Sequence, residues 1–292
     1  QMLKVIEDYD IKSFGHNSAQ TIQLLVEAER RAYADRSHFM GDPDYMNLPV
    51  YELMNKEYVV DRMKNFSWDK ATLSSEVKHG NIIVQESDET THYSIIDKYG
   101  NSVSVTTTLN NSYGSKVFVE EGGFFLNNEM DDFSSKPGHP NFYGLIGSEA
   151  NSIQPGKRML SSMTPSIVLK NNKPSLIVGT PGGSTIITSV LQTILNVYEF
   201  DMSVQEAVNA PRFHHQWLPD VVIFEEGIVD KEKDSILKSK RYFVISLPIE
   251  VDTGGMSARS SIGAVDAILI DDKREVSTGA DFRGDDYGEK LK

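Results

Sequence analysis

The sequence contains no cysteine among its 292 residues. Disulfide bonds, thiolate metal ligands and a cysteine nucleophile are therefore excluded, and hydroxyl groups remain as the obvious nucleophiles. We expect neither a metal ion nor an organic cofactor. At this length, with 39% hydrophobic residues, the chain can bury a full core without covalent cross-links.

Positive charge is also scarce. Lysine and arginine total 29 against 42 aspartate and glutamate residues, which gives a net charge of −13. Such a chain repels phosphate backbones and anionic lipid surfaces. Nucleic acid is therefore not an expected partner.

Long apolar runs and a targeting segment are missing too. The longest apolar run, from Ile186 to Val197, is interrupted by polar residues and is too short to span a bilayer. No signal peptide is recognisable at the start. The chain begins at Gln1 in what reads as the middle of a domain, so we expect an upstream portion.

The first third of the chain reads as mainly helical. Residues 18 to 36 have apolar positions at helical spacing behind a capping Ser18, and residues 51 to 66 predict a second helix. Residues 67 to 89 lose this periodicity and become polar. We predict that this segment is an exposed, mobile linker.

From Tyr93 onward the apolar period changes to two, which predicts strands. A hairpin around Tyr99-Gly100 with a two-residue loop would put Thr91 opposite Thr108 and Thr90 opposite Leu109. A second hairpin spans 166 to 170 and 175 to 180. Further strands are predicted at 221 to 225, 242 to 247 and 264 to 270, so the chain reads as an α+β protein.

Two helices interrupt the predicted strands. The first begins at Ile186. We predict that it is buried, because its apolar residues cover more of the helix surface than the single stripe of a surface helix. The second is a short helix that opens with the capping box Ser203 to Glu206 and is stopped by Pro211.

Thr90 lies where the polar linker meets the first strand. Paired threonines at a strand edge usually reflect β-propensity alone. A cut before Thr90, however, would expose an amino group with a pKa of about 8 that could serve as the base for its own hydroxyl. Both interpretations remain open on the residues alone.

Gly182-Gly183 precedes the predicted buried helix. The pair can be a plain turn, or its backbone N–H groups can face a ligand at the helix amino end and bind an oxyanion. Ser161-Ser162 follows Lys157-Arg158 and can be an ordinary loop, although paired hydroxyls also bind carboxylates.

The acidic segment Asn127 to Asp132 admits three interpretations: a solvated turn, a cation loop, or a site for a substrate ammonium group. His214-His215 suggests a metal site, but adjacent side chains point in different directions, which favours a structural role. His92 shares a strand face with Thr90, and we assign it a supporting role.

Five motifs taken together resemble the γ-glutamyltranspeptidase family of N-terminal-nucleophile hydrolases. They are TTHYS at 90 to 94, NNEMDDFS at 127 to 134, KRMLSSM at 157 to 163, GTPGGS at 179 to 184 and NAPRFHHQWLPD at 209 to 220. The resemblance implies one αββα sandwich. Residues 1 to 89 would be the end of a large subunit, and residues 90 to 292 the small catalytic subunit.

The resemblance also implies an activity. A precursor would cut itself between Glu89 and Thr90, and the new terminal Thr90 would form a γ-glutamyl-enzyme from glutathione or related compounds. Water, an amino acid or a peptide would resolve it, in the periplasm or outside the cell. The alternatives are a related acylase, acting on cephalosporin, glutaryl or capsular poly-γ-glutamate groups, and an inactive truncated form.

Residue roles follow from the same resemblance. Thr108 would hydrogen-bond the nucleophile and Gly182-Gly183 would form the oxyanion hole. The glutamyl group would be bound by the side chains of Asn110, Glu129, Asp132, Ser161 and Ser162, with Tyr143 as a cover.

The sequence departs from the family pattern in three places. Met159 and Phe282 stand where prolines are usual. The arginine that binds the substrate carboxylate belongs to the upstream portion of the large subunit, and no residue here matches it.

Overall fold

The computed structural model describes residues 1–79, 91–111, 113–141, 144–249 and 262–290. Two compact units divide the chain. The first unit comprises Gln1–Asp88, Asn128–Ser161 and His214–Ser246, and the second comprises Glu89–Asn127, Ser162–Phe213 and Leu247–Lys292. Each unit is assembled from separate stretches of sequence. The predicted subunit boundary, a cleavage between Glu89 and Thr90, lies outside the described residues and stays a prediction.

Helices and strands alternate irregularly along the described residues. The α-helices are α1 (Met2–Ile6), α2 (Ile11–Phe14), α3 (Ala19–Phe39), α4 (Val50–Leu53), α5 (Lys56–Met63), α6 (Ile186–Tyr198), α7 (Val204–Asn209) and α8 (Lys231–Ser239). The strands are β1 (Thr91–Ile96), β2 (Ser102–Thr107), β3 (Phe118–Val119), β4 (Phe124–Phe125), β5 (Ser166–Lys170), β6 (Lys173–Gly179), β7 (Phe213–His214), β8 (Val222–Glu225), β9 (Val244–Leu247), β10 (Asp266–Ile270) and β11 (Val276–Ala280).

Helix α3 is the central element of the first unit. Ser18 caps it by accepting a hydrogen bond from the Thr21 N–H at 3.1 Å, so the helix predicted at 18 to 36 is confirmed. Its charged side chains are buried yet paired: the Arg31 guanidinium lies 2.5 Å from the Glu27 carboxylate. Pairing is needed because an isolated buried charge would cost several kcal/mol, roughly, to desolvate.

Two predictions for the first unit are wrong. The helix predicted at 51 to 66 is broken into α4 and α5, because the Asn55 side chain caps a new helix by accepting the Glu57 N–H at 2.8 Å. The described part of the predicted linker, 67 to 79, is not exposed throughout. Thr72 is buried and its N–H donates to the Glu27 carboxylate at 3.1 Å, which ties the segment to α3.

The core of the second unit is built in layers. Strands β11, β10, β6 and β5 form an antiparallel sheet in that order, and the β1-β2 hairpin packs on one face of it. Ile96 of the hairpin contacts a cluster around Ile177 and Ile268. Helices α6 and α7 cover the opposite face through residues such as Ile186 and Val208. Hairpin, sheet and helices correspond to three of the four layers expected of an αββα sandwich.

The register of the β1-β2 hairpin differs by one residue from the prediction. Thr91 pairs with Thr107 and Ile96 with Ser102, so residues 97 to 101 form the loop. The Asp97 carboxylate stabilises this longer loop, because it accepts the Tyr99 N–H at 2.8 Å and the Asn101 N–H at 2.9 Å. The predicted pairing of Thr90 lies outside the described residues.

The other predicted elements of the second unit are confirmed, with small changes at their ends. The hairpin of β5 and β6 turns through Asn171 and Asn172, whose φ values of 53° and 59° suit a two-residue turn. The capping box from Ser203 to Glu206 is present. Within the described residues, no helix is both long and apolar enough to cross a membrane.

A network of buried ion pairs lies in the second unit, just after β11. Asp281, Arg212 and Arg283 are each 1% exposed. The Asp281 carboxylate lies 2.5 Å from Arg212 Nη2 and 2.9 Å from Arg283 Nη1, and it accepts the Val265 N–H at 2.8 Å. These contacts join a segment after α7 to the end of β11.

We predict that Asp281→Ala destabilises the protein by roughly 3–5 kcal/mol, because two buried guanidinium groups would lose their counter-charge. Urea unfolding followed by tryptophan fluorescence measures the change. Asp272→Ala is the control, since its partner Lys170 is exposed and such pairs contribute little. Equal effects of the two substitutions would contradict the prediction.

Candidate active site

The predicted site residues fall into both units. Thr108, Asn110, Ser162, Gly182 and Gly183 belong to the second unit. Glu129, Asp132 and Ser161 belong to the first. Glu89, Thr90 and Tyr143 lie outside the described residues, so their roles stay predictions.

His92 fastens β1 to the strands around it. Its ring is buried, with Nδ1 2.8 Å from the Thr106 hydroxyl and Nε2 3.0 Å from the Ser94 hydroxyl. Burial lowers the pKa of His92 to about 4, so the ring is neutral near pH 7. Both ring nitrogens are engaged by hydroxyl groups, which agrees with a supporting role.

Gly179 at the end of β6 accommodates the His92 ring. A Cβ atom at this position would lie 2.3 Å from the ring, closer than real contacts allow. The absence of a side chain therefore permits β1 to approach β6. Because Gly179 is followed directly by Thr180-Pro181-Gly182-Gly183, the same contact lies beside the start of the glycine turn.

The glycine turn uses backbone conformations that favour glycine. Gly182 has φ of 135° and Gly183 has φ of 59°. A Cβ at Gly182 would lie 2.7 Å from the Thr185 hydroxyl and 3.0 Å from the Cα of Gly263. One turn of 3-10 helix, Gly183–Thr185, leads from here into α6. Backbone N–H groups at such a helix start can bind an anion.

Arg212 and Thr180 hold the chain that lies against this turn. Arg212 Nη1 donates to the Ile262 carbonyl at 2.8 Å, next to Gly263. Thr180 accepts the Ala264 N–H at 2.8 Å through its hydroxyl. Sequence reasoning assigned neither residue, because the contacts join segments that are far apart in the chain and follow no local pattern.

Thr108 and Asn110 form a compact bend after β2. The Thr108 hydroxyl accepts the Asn110 N–H at 2.8 Å. Asn110 is 3% exposed and has φ of 72°, a left-handed conformation that asparagine tolerates better than most residues. The bend therefore fixes the backbone on either side of both predicted site residues.

In the first unit, the acidic segment forms a 3-10 turn over Glu129–Asp132. Asp132 is 2% exposed, whereas Glu129 is half-buried. Burial raises the pKa of Glu129 above its ordinary value. Two carboxyl groups held by one turn are a suitable arrangement for binding an ammonium group.

Lys157 and Arg158 brace the segment that leads to Ser161. The Asp42 carboxylate accepts the Arg158 backbone N–H at 2.8 Å and lies 2.5 Å from its Nη2, which holds the pKa of Asp42 well below its usual range. Lys157 Nζ donates to the Ser152 carbonyl at 3.0 Å. Two side chains before Ser161 are therefore already anchored to the first unit.

The paired histidines bind protein groups. The His215 N–H donates to the Glu29 carboxylate at 3.1 Å, and its Nε2 lies 3.3 Å from Asp220. His214 Nε2 lies 2.8 Å from the Gln216 side-chain oxygen. Burial lowers the pKa of both rings to about 4. In the part of the chain that the structure describes, no group of metal-ligating side chains is found.

The chain is similar in sequence to known proteins over most of its length. Residues 1–291 match the sequence model of the gamma-glutamyltranspeptidase family. The chain is 50% identical over 227 residues to a glutathione hydrolase proenzyme of Escherichia coli K12, covering 78% of this chain and 39% of that protein. It is 42% identical to the proenzyme of the same name from Pseudomonas aeruginosa, covering 97% of this chain and 48% of the relative.

Solved structures extend the comparison to the fold. Gamma-glutamyltranspeptidase from Pseudomonas nitroreducens, complexed with L-DON, superposes with a TM-score of 0.61 at 45% identity, covering 70% of this chain and all of that one. A cephalosporin acylase from Bacillus halodurans superposes with a TM-score of 0.79 at 22% identity, covering 97% of this chain and 47% of the other.

These similarities define the fold as that of the N-terminal-nucleophile hydrolases, in agreement with the α+β sandwich predicted from sequence. Within that class, the chain belongs to the γ-glutamyltranspeptidase family. It spans less than half the length of the curated relatives named above.

The contact between His92 and Gly179 yields a prediction. Gly179→Ala should destabilise the protein by about 1–3 kcal/mol, because the new methyl group overlaps the ring. Urea unfolding of Gly179→Ala, His92→Ala and the double variant measures the coupling. The double variant should be more stable than the sum of the single losses, whereas simple additivity would contradict a direct clash.

Proposed function

We propose that this chain carries the catalytic part of a self-processing γ-glutamyltransferase and glutathione hydrolase with Thr90 as its nucleophile. The observation that carries the proposal is the glycine turn at Gly182-Gly183, which follows β6 while β1, the strand that begins directly after Thr90, packs on β6. A nucleophile and an anion-binding turn on adjoining strands are the minimum for acyl transfer.

Self-processing would come first. The Thr90 hydroxyl attacks the Glu89 carbonyl carbon, and the peptide C–N bond breaks to give an ester and a free Thr90 amino group. Water then hydrolyses the ester, which leaves Glu89 as a carboxylate. Thr108, which directly follows β2, is the proposed hydrogen-bond partner of the Thr90 hydroxyl.

Turnover would use the same hydroxyl. The Thr90 amino group accepts the hydroxyl proton while the oxygen attacks the γ-carbonyl carbon of the donor. The N–H groups of Gly182 and Gly183 stabilise the oxyanion. The γ C–N bond breaks, the proton passes to the leaving amine, and water or an amino acid or peptide amine then resolves the γ-glutamyl ester.

Donor recognition would depend on charges around the glutamyl α-carbon. Glu129 and Asp132, with Asn110, bind the α-ammonium group, and Ser161 and Ser162 bind the α-carboxylate. Tyr143 covers the bound group. Glutathione and other γ-glutamyl compounds are thus the proposed donors, and a periplasmic or extracellular location is part of the proposal.

A second candidate function is acylase activity on donors without the α-ammonium group. A relative in Pseudomonas sp. strain SE83, named acylase ACY 1 proenzyme, is 35% identical over 258 residues, covering 88% of this chain and 43% of that protein. The paired carboxyl groups of the Glu129–Asp132 turn favour the γ-glutamyl donor, because a glutaryl donor offers them no positive charge.

Thr90→Ala in the full-length protein tests the proposed function. We expect that the variant stays a single chain by intact-mass analysis and loses hydrolysis of a γ-glutamyl anilide by at least about a thousandfold, since the nucleophile is gone. Thr91→Ala is the matched control, because that threonine is exposed on β1 and should not affect processing. Turnover by Thr90→Ala comparable to the wild type would disprove the proposal.

A further inference from the structure

We propose that Asn151 is a positioning residue that sets the spacing between the two halves of the donor clamp. The ammonium half is the Glu129–Asp132 turn, and the carboxylate half is the segment that ends at Ser161. The inference rests on the proposed function, because it takes these segments as the groups that bind the glutamyl α-carbon.

The Asn151 side chain bridges both halves directly. Its Nδ2 donates to the Asp132 carbonyl at 2.7 Å, and its Oδ1 accepts the Leu160 N–H at 3.0 Å. Asp132 is the last residue of the acidic turn, and Leu160 immediately precedes Ser161. One amide group therefore connects the backbones of the two halves, and all of these residues belong to the first unit.

The backbone of Asn151 makes a third contact, just beyond the ammonium half. Its carbonyl accepts the Ser134 N–H at 3.1 Å, two residues beyond Asp132. Asn151 ends the 3-10 turn Glu149–Asn151, so its own backbone is ordered by local hydrogen bonding. The chain is thus held to this residue at two points, at Asp132 in the acidic turn and at Ser134 just after it.

Only an amide of this size satisfies both bonds. Asn151 is 0% exposed, so water does not replace a lost partner. Aspartate has the same shape, but when ionised it lacks the donor that the Asp132 carbonyl requires. Alanine removes donor and acceptor together and leaves two backbone groups without their partner, which is costly in a buried place.

The carboxylate half has separate anchors. Arg158 is held by Asp42, and Lys157 by the carbonyls of Ala150 and Ser152. Loss of the Asn151 amide should therefore not release Ser161 from the fold. It should change the distance between Ser161 and the acidic turn, which is the quantity that a donor with adjacent ammonium and carboxylate groups must match.

This geometry predicts an effect that depends on the donor. A γ-glutamyl donor uses both halves at once, and a misplacement of about 1 Å can cost up to a hundredfold in rate. A glutaryl donor has no ammonium group and needs no fixed spacing between the halves. Substitution of Asn151 should consequently change the preference between the two donors more than it changes the chemistry at Thr90.

The experiment compares Asn151→Asp and Asn151→Ala with the wild type in the full-length protein. Self-cleavage is measured by intact mass, and kcat and KM are measured for a γ-glutamyl anilide and for the matching glutaryl anilide. We expect normal cleavage, a raised KM for the γ-glutamyl donor, and a fall of roughly ten- to hundredfold in the ratio of the two kcat/KM values.

Gln154→Ala is the matched control, because it removes an exposed amide from the same segment and should leave the ratio unchanged. Inhibition constants for L-glutamate and glutarate make the same comparison by binding alone, so it does not require that the enzyme turn over the glutaryl anilide. An equal loss for both ligands would indicate a general structural role and overturn the inference, as would an unchanged ratio.

Failure of the inference is separable from failure of the proposed function. If the wild type cleaves itself and prefers the γ-glutamyl donor while the Asn151 variants keep that preference, only the inference is wrong. If Thr90→Ala retains turnover, the proposed function is wrong whatever the Asn151 variants do.

Discussion

The arrangement of the second unit depends on one close approach, between the His92 ring and the backbone at Gly179. Because Gly179 has no side chain, β1 can lie on β6 with a buried aromatic ring between them. The ring is neutral and its nitrogens are engaged by Ser94 and Thr106, so it fills the space without an unpaired charge. This contact fixes β1, the strand that follows Thr90, against β6, the strand that precedes the glycine turn.

Buried ion pairs explain why the most histidine-rich motif is structural. Arg212 contacts Asp281 on one side and the backbone beside Gly263 on the other, so it supports the residue against which Gly182 packs. In the first unit, His215 and Asp220 join the charged side chains of α3. Charges taken out of water need several partners each. Residues of this motif supply such partners, and the two histidines bind protein groups as part of the same network.

Local patterns predicted much of the fold, and the errors have two causes: single side chains that bond nearby backbone groups, and contacts between distant segments. Helices α3 and α6 and the β5-β6 hairpin follow from periodicity, caps and turn residues, which act within a few positions. The break at Asn55 and the loop at Asp97 depend on single side chains that compete for backbone groups. The packing of residues 67 to 79 depends on the buried Glu27 carboxylate, which no nearby pattern indicates. Motif order predicted the candidate site residues, but not Asn151, whose proposed role depends on distant backbone groups.

The division into units suggests how donor preference and chemistry can change separately. The glycine turn and the strand after Thr90 belong to the second unit, whereas the acidic turn, Asn151 and Ser161 belong to the first. Substitutions that alter the spacing of charges in the first unit need not disturb the glycine turn. Relatives with hydrolase and acylase names at 35–50% identity are compatible with such a separation. If donor choice resides in backbone spacing, exchanging the charged residues alone should convert one preference into the other only incompletely.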